Sequence, residues 1–429
     1  MTADPNLATG VLETSGMSPF AKRDRVRWSQ RRAWEINCRS GRWHTTYVPE
    51  EARILVMGGG GAVAMGWARS FPHGFVDAID PSPMGSSAVQ ALSTGLGQSN
   101  LAADRGDPLS IHARGPYDLI CTEGVVERMP SPATALKELA NRLKPGGVMR
   151  VVLPSARRDA HVREFRELLD LLVGVETEAM GPGRVAMGEA LTHGVDFSGT
   201  AMLETVDKAR DLHGDNPLAW MEEYVRPASP TYELAQAFDV IAESGLRFLG
   251  WCRPGDWHAR PRLADTGVRE RFEQLSERAH WEFADRLRRP AYSMWVGRGR
   301  DPAAAWPWMD DDEDLLSRVV VPNEGLESIV ARGRSQEAPR KTQDFVIRPM
   351  PGASDRVILE TPGRFELELH VFYETLLRRM DGVHTLRGVA AEAAESHGMR
   401  LEDVEQRVVS IVRRLIHPHG ALIAGPRRG

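Results

Sequence analysis

Strand-like and helical segments alternate along the chain from about residue 51, and this alternation constrains the fold more than any other feature. The apolar run ARILVMG ends in glycines, AVAMGWARSF has helical periodicity, and FVDAID is a second strand that closes on an acid. YDLICTEGVV, SPATALKELANRLKPGG and VMRVVLPS continue as strand, helix and strand, with a serine or proline start and a glycine stop for the helix. Strands joined by helices predict βαβ units with a parallel sheet, and so an α/β fold.

This α/β domain is predicted to span residues 20–300. Its first part, Ala21–Trp43, predicts a short amphipathic helix. Residues 156–225 consist of helical pieces without a clear strand, and we expect a helical lid insertion that covers a site. The domain then predicts a helix at Tyr232–Ser244, a strand at LRFLGW, one long charged helix at Arg269–Arg288 and a last strand at AYSMWVGRG.

The composition changes on both sides of this domain. Residues 1–19 mix Gly, Pro, Ser and Thr without periodicity, which predicts a flexible tail. Residues 301–342 combine prolines with blocks of acids and bases, which is the composition of a linker with one docked helix. Residues 343–429 predict a small β-ribbon, three helices and a closing apolar strand, an order and size typical of a small winged-helix-like α+β domain.

Composition also limits the partners and the compartment. The 429 residues are 42% hydrophobic and 26% charged, which is typical of a globular chain with two or three domains. A net charge of −5 makes a nucleic-acid partner unlikely, because phosphate neutralisation needs an excess of Lys and Arg. Cys38, Cys121 and Cys252 lie far apart, and His417 and His419 have no further ligands, so neither a disulfide framework nor a metal site is predicted. With no signal peptide and no run of 18 apolar residues, we expect a cytoplasmic protein without a membrane span.

The strongest chemical signal is the run of four glycines, Gly58–Gly61, where the first strand turns into a helix. Glycines there let the backbone approach a ligand closely, although a nicotinamide dinucleotide site and a tight turn without a ligand show the same pattern. Asp80 ends the next strand about twenty residues further on, where a carboxylate can accept both hydroxyls of a ribose. Helix capping or an Asp-Pro turn is the structural alternative for this residue. Asp107 is expected at the end of a third strand, where its carboxylate could accept an adenine amine.

The segments ILVMGGGG, AIDPSP, RGD, YDLICTEGVVERMPSPATALKELANRLKPGGVMRVVLP and AYSMWVG together resemble class I S-adenosylmethionine-dependent methyltransferases, in matching order across residues 50–300. The resemblance implies a Rossmann-like sheet of seven strands and S-adenosylmethionine as the cofactor. It implies that the glycine turn passes under the methionine part, that Asp80 holds the ribose and that Asp107 binds the adenine amine. It also places Thr122 and Glu123 beside the methyl group. The cofactor-binding residues implied in this way are Met57, Gly58, Gly59, Gly60, Asp80, Pro81, Gly106, Asp107, Thr122 and Glu123.

Three positions depart from the family pattern. Met57 replaces the usual acid before the first glycine, Ala62 replaces the third glycine, and Arg128 replaces a histidine after the fourth strand. These departures leave open an alternative function, a non-catalytic S-adenosylmethionine-binding regulator or scaffold. A nicotinamide-dependent oxidoreductase shares the glycine turn and the ribose acid, but it has no counterpart of the block from YDLICTEG to KPGG.

Methyl transfer from a sulfonium depends mainly on placing the nucleophile and excluding water. A protonated amine or a hydroxyl also needs a general base, and the candidate catalytic residues are Glu127, His161 and Tyr232, together with His193 and Glu223. For each of them, an exposed or structurally hydrogen-bonded side chain is the alternative. The acceptor is predicted to be a small metabolite, such as a natural-product intermediate, or a peptide or protein side chain.

Two further segments bear on the acceptor. Arg157, Arg158, His161 and Arg163 form a basic cluster that would suit an acidic or phosphorylated acceptor, with a solvated helix face as the alternative. RPASPTY resembles, in part, a family segment that borders the acceptor pocket, with Arg226 at its start. The C-terminal domain is similar to winged-helix modules appended to some bacterial protein-lysine methyltransferases. Its predicted role is peptide binding through an added strand or formation of a homodimer, and DNA binding ranks last because the helix LEDVEQRVVSIVRR begins acidic.

Overall fold

The computed structural model describes most of the chain between residues 28 and 427. The described residues are 28–40, 48–80, 83–95, 97–106, 115–174, 181–257, 259, 263, 265–298, 311–322, 326, 340–341, 346–350, 353–361, 365–416 and 422–427. The predicted tail at 1–19 lies outside them. None of the helices in these ranges combines the length and the apolar character that crossing a bilayer requires.

Seven strands of the first part of the chain form one mixed sheet. Six strands run parallel and the seventh is antiparallel to both of its neighbours, in the order β3-β2-β1-β4-β5-β7-β6. Their inner residues are buried on both faces, as expected for a parallel sheet covered by helices. The strands are β1 (Arg53–Gly58), β2 (Phe75–Asp80), β3 (Leu101–Arg105), β4 (Tyr117–Glu123), β5 (Leu143–Leu153), β6 (Arg247–Trp251) and β7 (Tyr292–Gly297).

Helices cover both faces of this sheet. The alternation along β1 separates two cores, because Ile54 and Val56 pack under the first three helices while Leu55 and Met57 face α4 and α9. The predicted α/β class is therefore confirmed. The helices are α1 (Trp28–Arg39), α2 (Gly60–Ser70), α3 (Pro83–Gly95), α4 (Pro132–Asn141), α5 (Ala160–Val173), α6 (Pro182–Gly194), α7 (Leu203–Asp215), α8 (Pro217–Trp220), α9 (Leu234–Glu243), α10 (Thr266–Glu273) and α11 (Glu277–Arg288).

Two helix boundaries differ from the sequence prediction. Helix α4 begins as expected, with the Ser131 side chain accepting a hydrogen bond from the Thr134 amide, but it ends at Asn141 instead of at the glycines. Pro145 explains the early end, because proline lacks an amide donor and disfavours helical backbone in the residue before it. The single helix expected at Arg269–Arg288 is two helices, α10 and α11, and the Ser276 side chain caps the second one by accepting from the Ala279 amide.

The predicted helical insertion has a hydrophobic core of its own. Helices α5 to α8 and a π-helical turn at Met221–Val225 pack around Phe165, Leu191 and Trp220. The rings of Phe165 and Tyr224 meet edge to face with their centroids 5.3 Å apart. The insertion therefore packs as one helical unit beside the carboxyl end of β5.

The C-terminal part has a separate core formed largely by three helices, which lie where the sequence predicts them. The predicted ribbon is present as β10 and β11, within an antiparallel sheet of order β12-β11-β10-β9, and the closing strand β13 pairs with β8. Both α12 and β8 fall in the predicted linker, and the domain boundaries and the winged-helix assignment stay predictions. The elements are α12 (Asp312–Leu316), β8 (Arg318–Pro322), β9 (Arg340–Lys341), β10 (Val346–Met350), β11 (Ala353–Thr361), β12 (Phe365–His370), α13 (Val371–Arg379), α14 (Leu386–His397), α15 (Leu401–Ile416) and β13 (Leu422–Arg427).

Helix α1 contacts both parts of the molecule. Ile36 packs into the core on one face of the seven-stranded sheet. Trp34, only 5% exposed, packs with Val319 and Val321 of β8 and with Ile423 of β13. This cluster, which we call the α1 junction, joins an early helix to the last described strand.

Candidate active site

The turn after β1 can be built only from glycine at its first position. Gly58 and Gly59 have φ values of 69° and 70°, in the left-handed region that side chains disfavour. A Cβ atom on Gly58 would lie 2.2 Å from the Glu123 carbonyl oxygen and 2.5 Å from Cγ2 of Val125. The absence of a side chain therefore brings the turn directly against the end of β4.

The carboxyl ends of the central strands meet at one edge of the sheet. Gly58 lies opposite Glu123 across the β1 and β4 pair, and Asp80 ends the neighbouring strand β2 with only 5% of its surface exposed. The order of the strands reverses between β1 and β4, which is where open α/β sheets bind ligands. The predicted residues Gly58, Asp80 and Glu123 are thus brought to one crevice.

The remaining predicted cofactor residues divide into two groups. Met57 is fully buried under the turn, Gly60 begins helix α2, and Gly106 follows β3. Pro81 and Asp107 lie outside the described residues. Their predicted contacts therefore stay predictions.

Thr122 has an unusual hydroxyl group. Its side chain is 1% exposed, and its Oγ1 atom has no hydrogen-bond partner among the described residues. Thr122 pairs in register with Met57, next to the glycine turn. Since buried hydroxyls normally form hydrogen bonds, this one is available to a bound ligand.

Glu123 is held by an ion pair from the adjacent strand. Nη1 of Arg150 on β5 donates to Oε2 of Glu123 at 3.1 Å, and the two side chains are 23% and 38% exposed. The pair fixes the direction of the carboxylate at the tip of β4. Arg150 is a site residue that sequence reasoning missed, because its pairing depends on the register of β4 and β5.

A cavity of about 260 Å³ opens beside this edge. Glu123 and Gly124 line it from the end of β4, and Leu153 and Pro154 line it from the end of β5. Val162 of α5 contributes to the opposite side, so the helical insertion forms part of the wall. The cavity thus adjoins the crevice at Glu123 and has room for a side chain or a small-molecule group.

Glu127 places a buried carboxyl group in the wall of the cavity. It lies in the short turn after β4, is 3% exposed, and its Oε2 atom meets no partner in the described part of the chain. Burial raises the pKa of the Glu127 carboxyl, and the charges of Arg128, Arg226 and Arg166 oppose that shift. A carboxyl with a raised pKa is suited to accept a proton near neutral pH.

Tyr232 lies within electrostatic range of Glu127, another of the candidate bases. Its amide donates to the Pro154 carbonyl at 2.9 Å, and its carbonyl accepts from the Ala156 amide at 2.8 Å, so the segment is bound to the end of β5. Burial, and secondarily the charge of Glu127, raise the pKa of the Tyr232 phenol. Glu127 lines the cavity and Tyr232 is not among the described lining residues, so the catalytic roles of both stay predictions.

The other candidate bases have different positions. His161 lies in the first turn of α5 and is not among the described residues that line the cavity. His193 lies at the end of α6, where its Nε2 is 3.2 Å from Nδ1 of His213. Glu223 lines the cavity from an exposed position on the π-helical turn. Their catalytic roles stay predictions.

Arginines supply much of the charge around the cavity. Arg166 was not predicted, although its spacing of three residues from Arg163 on one helix places both side chains on the same face. This spacing is the signal that could have identified it. The arginines that line the cavity are Arg128, Arg158, Arg163, Arg166 and Arg226.

Comparisons with known proteins agree with this geometry. The family model described as a methyltransferase domain matches residues 55–149, which run from β1 into β5 and include the glycine turn. An uncharacterized protein of Synechococcus sp. is 27% identical over 284 residues, which cover 64% of this chain and 66% of that protein. The chain thus spans just under two thirds of this relative.

The protein PKMT2 from Rickettsia typhi has a similar structure. It matches with a TM-score of 0.61 at 14% identity, covering 94% of this chain and 76% of that one. The structure of PKMT2 in complex with AdoHcy matches with a TM-score of 0.59, covering 92% and 75% of the two chains. At this level of identity the similarity shows a shared fold.

The sheet order and the glycine turn agree with the family match, which identifies a methyltransferase domain that includes residues 55–149. The chain therefore contains an S-adenosylmethionine-dependent methyltransferase domain, and the match supports the predictions of enzyme class and cofactor for this domain. The identity of the methyl acceptor belongs to the proposal below.

Proposed function

We propose that this enzyme transfers a methyl group to a nucleophile bound in the cavity beside Glu123 and Glu127. The acceptor is a group on a small metabolite or on a peptide or protein side chain. One observation carries the proposal: Glu127, whose buried Oε2 atom has no partner among the described residues, lines a cavity that reaches Glu123, the residue opposite Gly58. Such an atom is costly unless a ligand or a proton satisfies it.

The residues at the edge of the sheet fit the cofactor. Gly58 packs the turn tightly against the end of β4, Thr122 has a hydroxyl without a partner among the described residues, and Asp80 provides a buried carboxylate for the ribose hydroxyls. When bound, S-adenosylmethionine supplies a methyl group on a sulfonium, whose leaving group needs no activation. The chain therefore has to position the acceptor, exclude water and remove a proton.

Three residues perform these tasks in the proposed mechanism. Glu127 accepts the proton of the nucleophile at Oε2, which its raised pKa and its burial allow. Arg150 keeps the Glu123 carboxylate fixed at the boundary between the glycine turn and the cavity. Tyr232, which follows the lining residue Thr231, has a raised pKa and therefore keeps its phenol protonated as a donor.

The C-terminal part is proposed to be a winged-helix-like module that holds a peptide or protein acceptor. Its three helices pack with the β8 and β13 ribbon, and β12 pairs only with β11 among the described strands. A strand with one unpaired edge can take an added peptide strand. Light scattering of the full chain tests the alternative role, since a stable dimer would favour self-association through this module.

The first experiment is calorimetric titration of the purified protein with S-adenosylmethionine, S-adenosylhomocysteine and NAD. We expect binding of the first two alone. Tight binding of NAD, or no binding of either sulfur compound, would contradict the assignment of the crevice to this cofactor.

The second experiment tests Glu127 with tritiated S-adenosylmethionine and a panel of amines, carboxylic acids and peptides. Glu127→Gln should slow methyl transfer by about 10² to 10⁴ without changing the affinity for S-adenosylhomocysteine, as expected for the loss of a general base. Glu138→Gln is the matched control, because Glu138 is exposed on α4. Wild-type turnover in the Glu127 variant would exclude this residue as the base.

A further inference from the structure

The walls of the cavity carry more guanidinium groups than carboxylates. Five arginines and four acidic residues line it among the described residues, and no lysine does. Three of the arginines, Arg163, Arg166 and Arg226, are half-buried, whereas Arg128 and Arg158 are exposed. Half-buried charges are screened less by salt than exposed ones, so these three dominate the field inside the cavity.

Hydrogen bonds to uncharged atoms hold two of these arginines. Nη1 of Arg163 donates to the Thr231 hydroxyl at 3.3 Å, and Nε of Arg166 donates to the Glu223 backbone carbonyl at 2.9 Å. Arg163 also lies 3.5 Å from Glu167, whose side chain is more than half exposed, so that solvent weakens this ion pair. These hydrogen bonds orient the two guanidinium groups.

The third arginine lies at the tip of β4. A Cβ on Gly124 would be 2.9 Å from Nη1 of Arg226, so the glycine makes room for the guanidinium head. Gly124 directly follows Glu123, which places Arg226 near the boundary between the crevice and the cavity. Arg226 also contributes to the positive potential at Glu127.

The acidic residues of the wall do not offset this charge fully. The Glu123 carboxylate is paired with Arg150, which is not among the described lining residues, Asp159 lies 3.9 Å from the exposed Arg158, and Glu223 is exposed to solvent. The five lining arginines together with Arg150 outnumber the four acidic residues, so the wall of the cavity carries an excess of positive charge among the described residues.

We infer that the methyl acceptor carries an anionic group, a carboxylate or a phosphate, close to its nucleophile, and that Arg163, Arg166 and Arg226 bind this group. The planar guanidinium donors match both anions geometrically. The inference rests on the proposed function, because it assigns a substrate class to the same cavity. A free lysine ammonium would instead face three cations, at a cost in Coulomb energy.

The test uses protein saturated with S-adenosylhomocysteine and three probes: inorganic phosphate, succinate and N-acetyl-lysine amide. Calorimetry should show binding of at least one anion and weaker or no binding of the cationic probe. The anion that binds more tightly identifies the group as a phosphate or a carboxylate. Tighter binding of the lysine probe, or no binding of either anion, would overturn the inference.

Variants locate the binding site. The double variant Arg163→Gln with Arg226→Gln should weaken anion binding at least tenfold, and Arg166→Lys, which keeps the charge but loses the planar fork, should weaken it less. Arg271→Gln is the control, because Arg271 is exposed on α10 and is not among the described lining residues. Equal anion affinity in the double variant and the control would overturn the assignment.

The affinity for S-adenosylhomocysteine separates the two proposals. If it is normal in every variant while anions do not bind, only the inference about the acceptor fails. If the wild-type protein does not bind S-adenosylhomocysteine, the proposed function fails.

Discussion

Replacing Gly58 by alanine tests the geometry of the glycine turn most directly. Left-handed backbone costs an L-residue about 1 to 2 kcal/mol, and overpacking a dense site costs about 1 to 3 kcal/mol. Both apply, because φ is 69° and the new Cβ would lie 2.2 Å from the Glu123 carbonyl oxygen, a backbone atom that cannot rotate away. We therefore expect Gly58→Ala to lower the free energy of unfolding by about 2 to 5 kcal/mol.

Urea unfolding followed by tryptophan fluorescence measures this loss, and calorimetry with S-adenosylhomocysteine measures the accompanying loss of affinity. Gly66→Ala is the matched control, since Gly66 is exposed in α2 and a Cβ there meets no described atom within 4 Å. The free energy of unfolding of the control should rise by about 0.5 to 1 kcal/mol, because alanine is more favourable than glycine inside a helix. If Gly58→Ala has the wild-type urea midpoint and affinity, the packing argument for the turn is refuted.

Three other substitutions test separate features. Asp80→Ala should weaken S-adenosylhomocysteine binding by about 1.5 to 3 kcal/mol in calorimetry, the scale of a lost charge-assisted hydrogen bond, and unchanged affinity would exclude the ribose contact. Because the pKa of folded Glu127 is raised, the folded state retains the proton to higher pH than the unfolded state. The unfolding temperature of the wild type should therefore rise relative to that of Glu127→Gln as the pH falls from about 8 to about 5. A difference in unfolding temperature that stays constant with pH would contradict this. Trp34→Ala should lower the free energy of unfolding at the α1 junction by roughly 3 to 5 kcal/mol. Hydrogen exchange should then show faster amide exchange in β8, and unchanged exchange would show that the contact does not stabilise the junction.

The central sheet could be predicted because its signals are local. The strands around Gly58, Asp80 and Glu123 are short apolar runs with clear ends, and parallel pairing brings those ends together. The start of α4 at Ser131 was also encoded locally, as a cap followed by proline. Its end was predicted wrongly because the glycine signal outweighed the effect of Pro145.

The cavity could be predicted only in part. Glu127 and Tyr232 were candidates from the sequence, but their proximity arises from the pairing of Tyr232 with Pro154 at the end of β5. This contact joins residues about eighty positions apart, and no local period encodes it. The same reason explains why the ion pair between Arg150 and Glu123 was missed.

The α1 junction joins residues that are synthesised early to residues that are synthesised late, so its packing cannot form until late in translation. Trp34 leaves the ribosome among the first described residues, but its partner Ile423 is among the last. The indole face that packs on β8 and β13 therefore stays uncovered while the sheet and the insertion form behind it. The contact between Trp34 and Ile423 can thus form only late in synthesis, and a nascent chain would present the indole face to chaperones until Ile423 has left the ribosome.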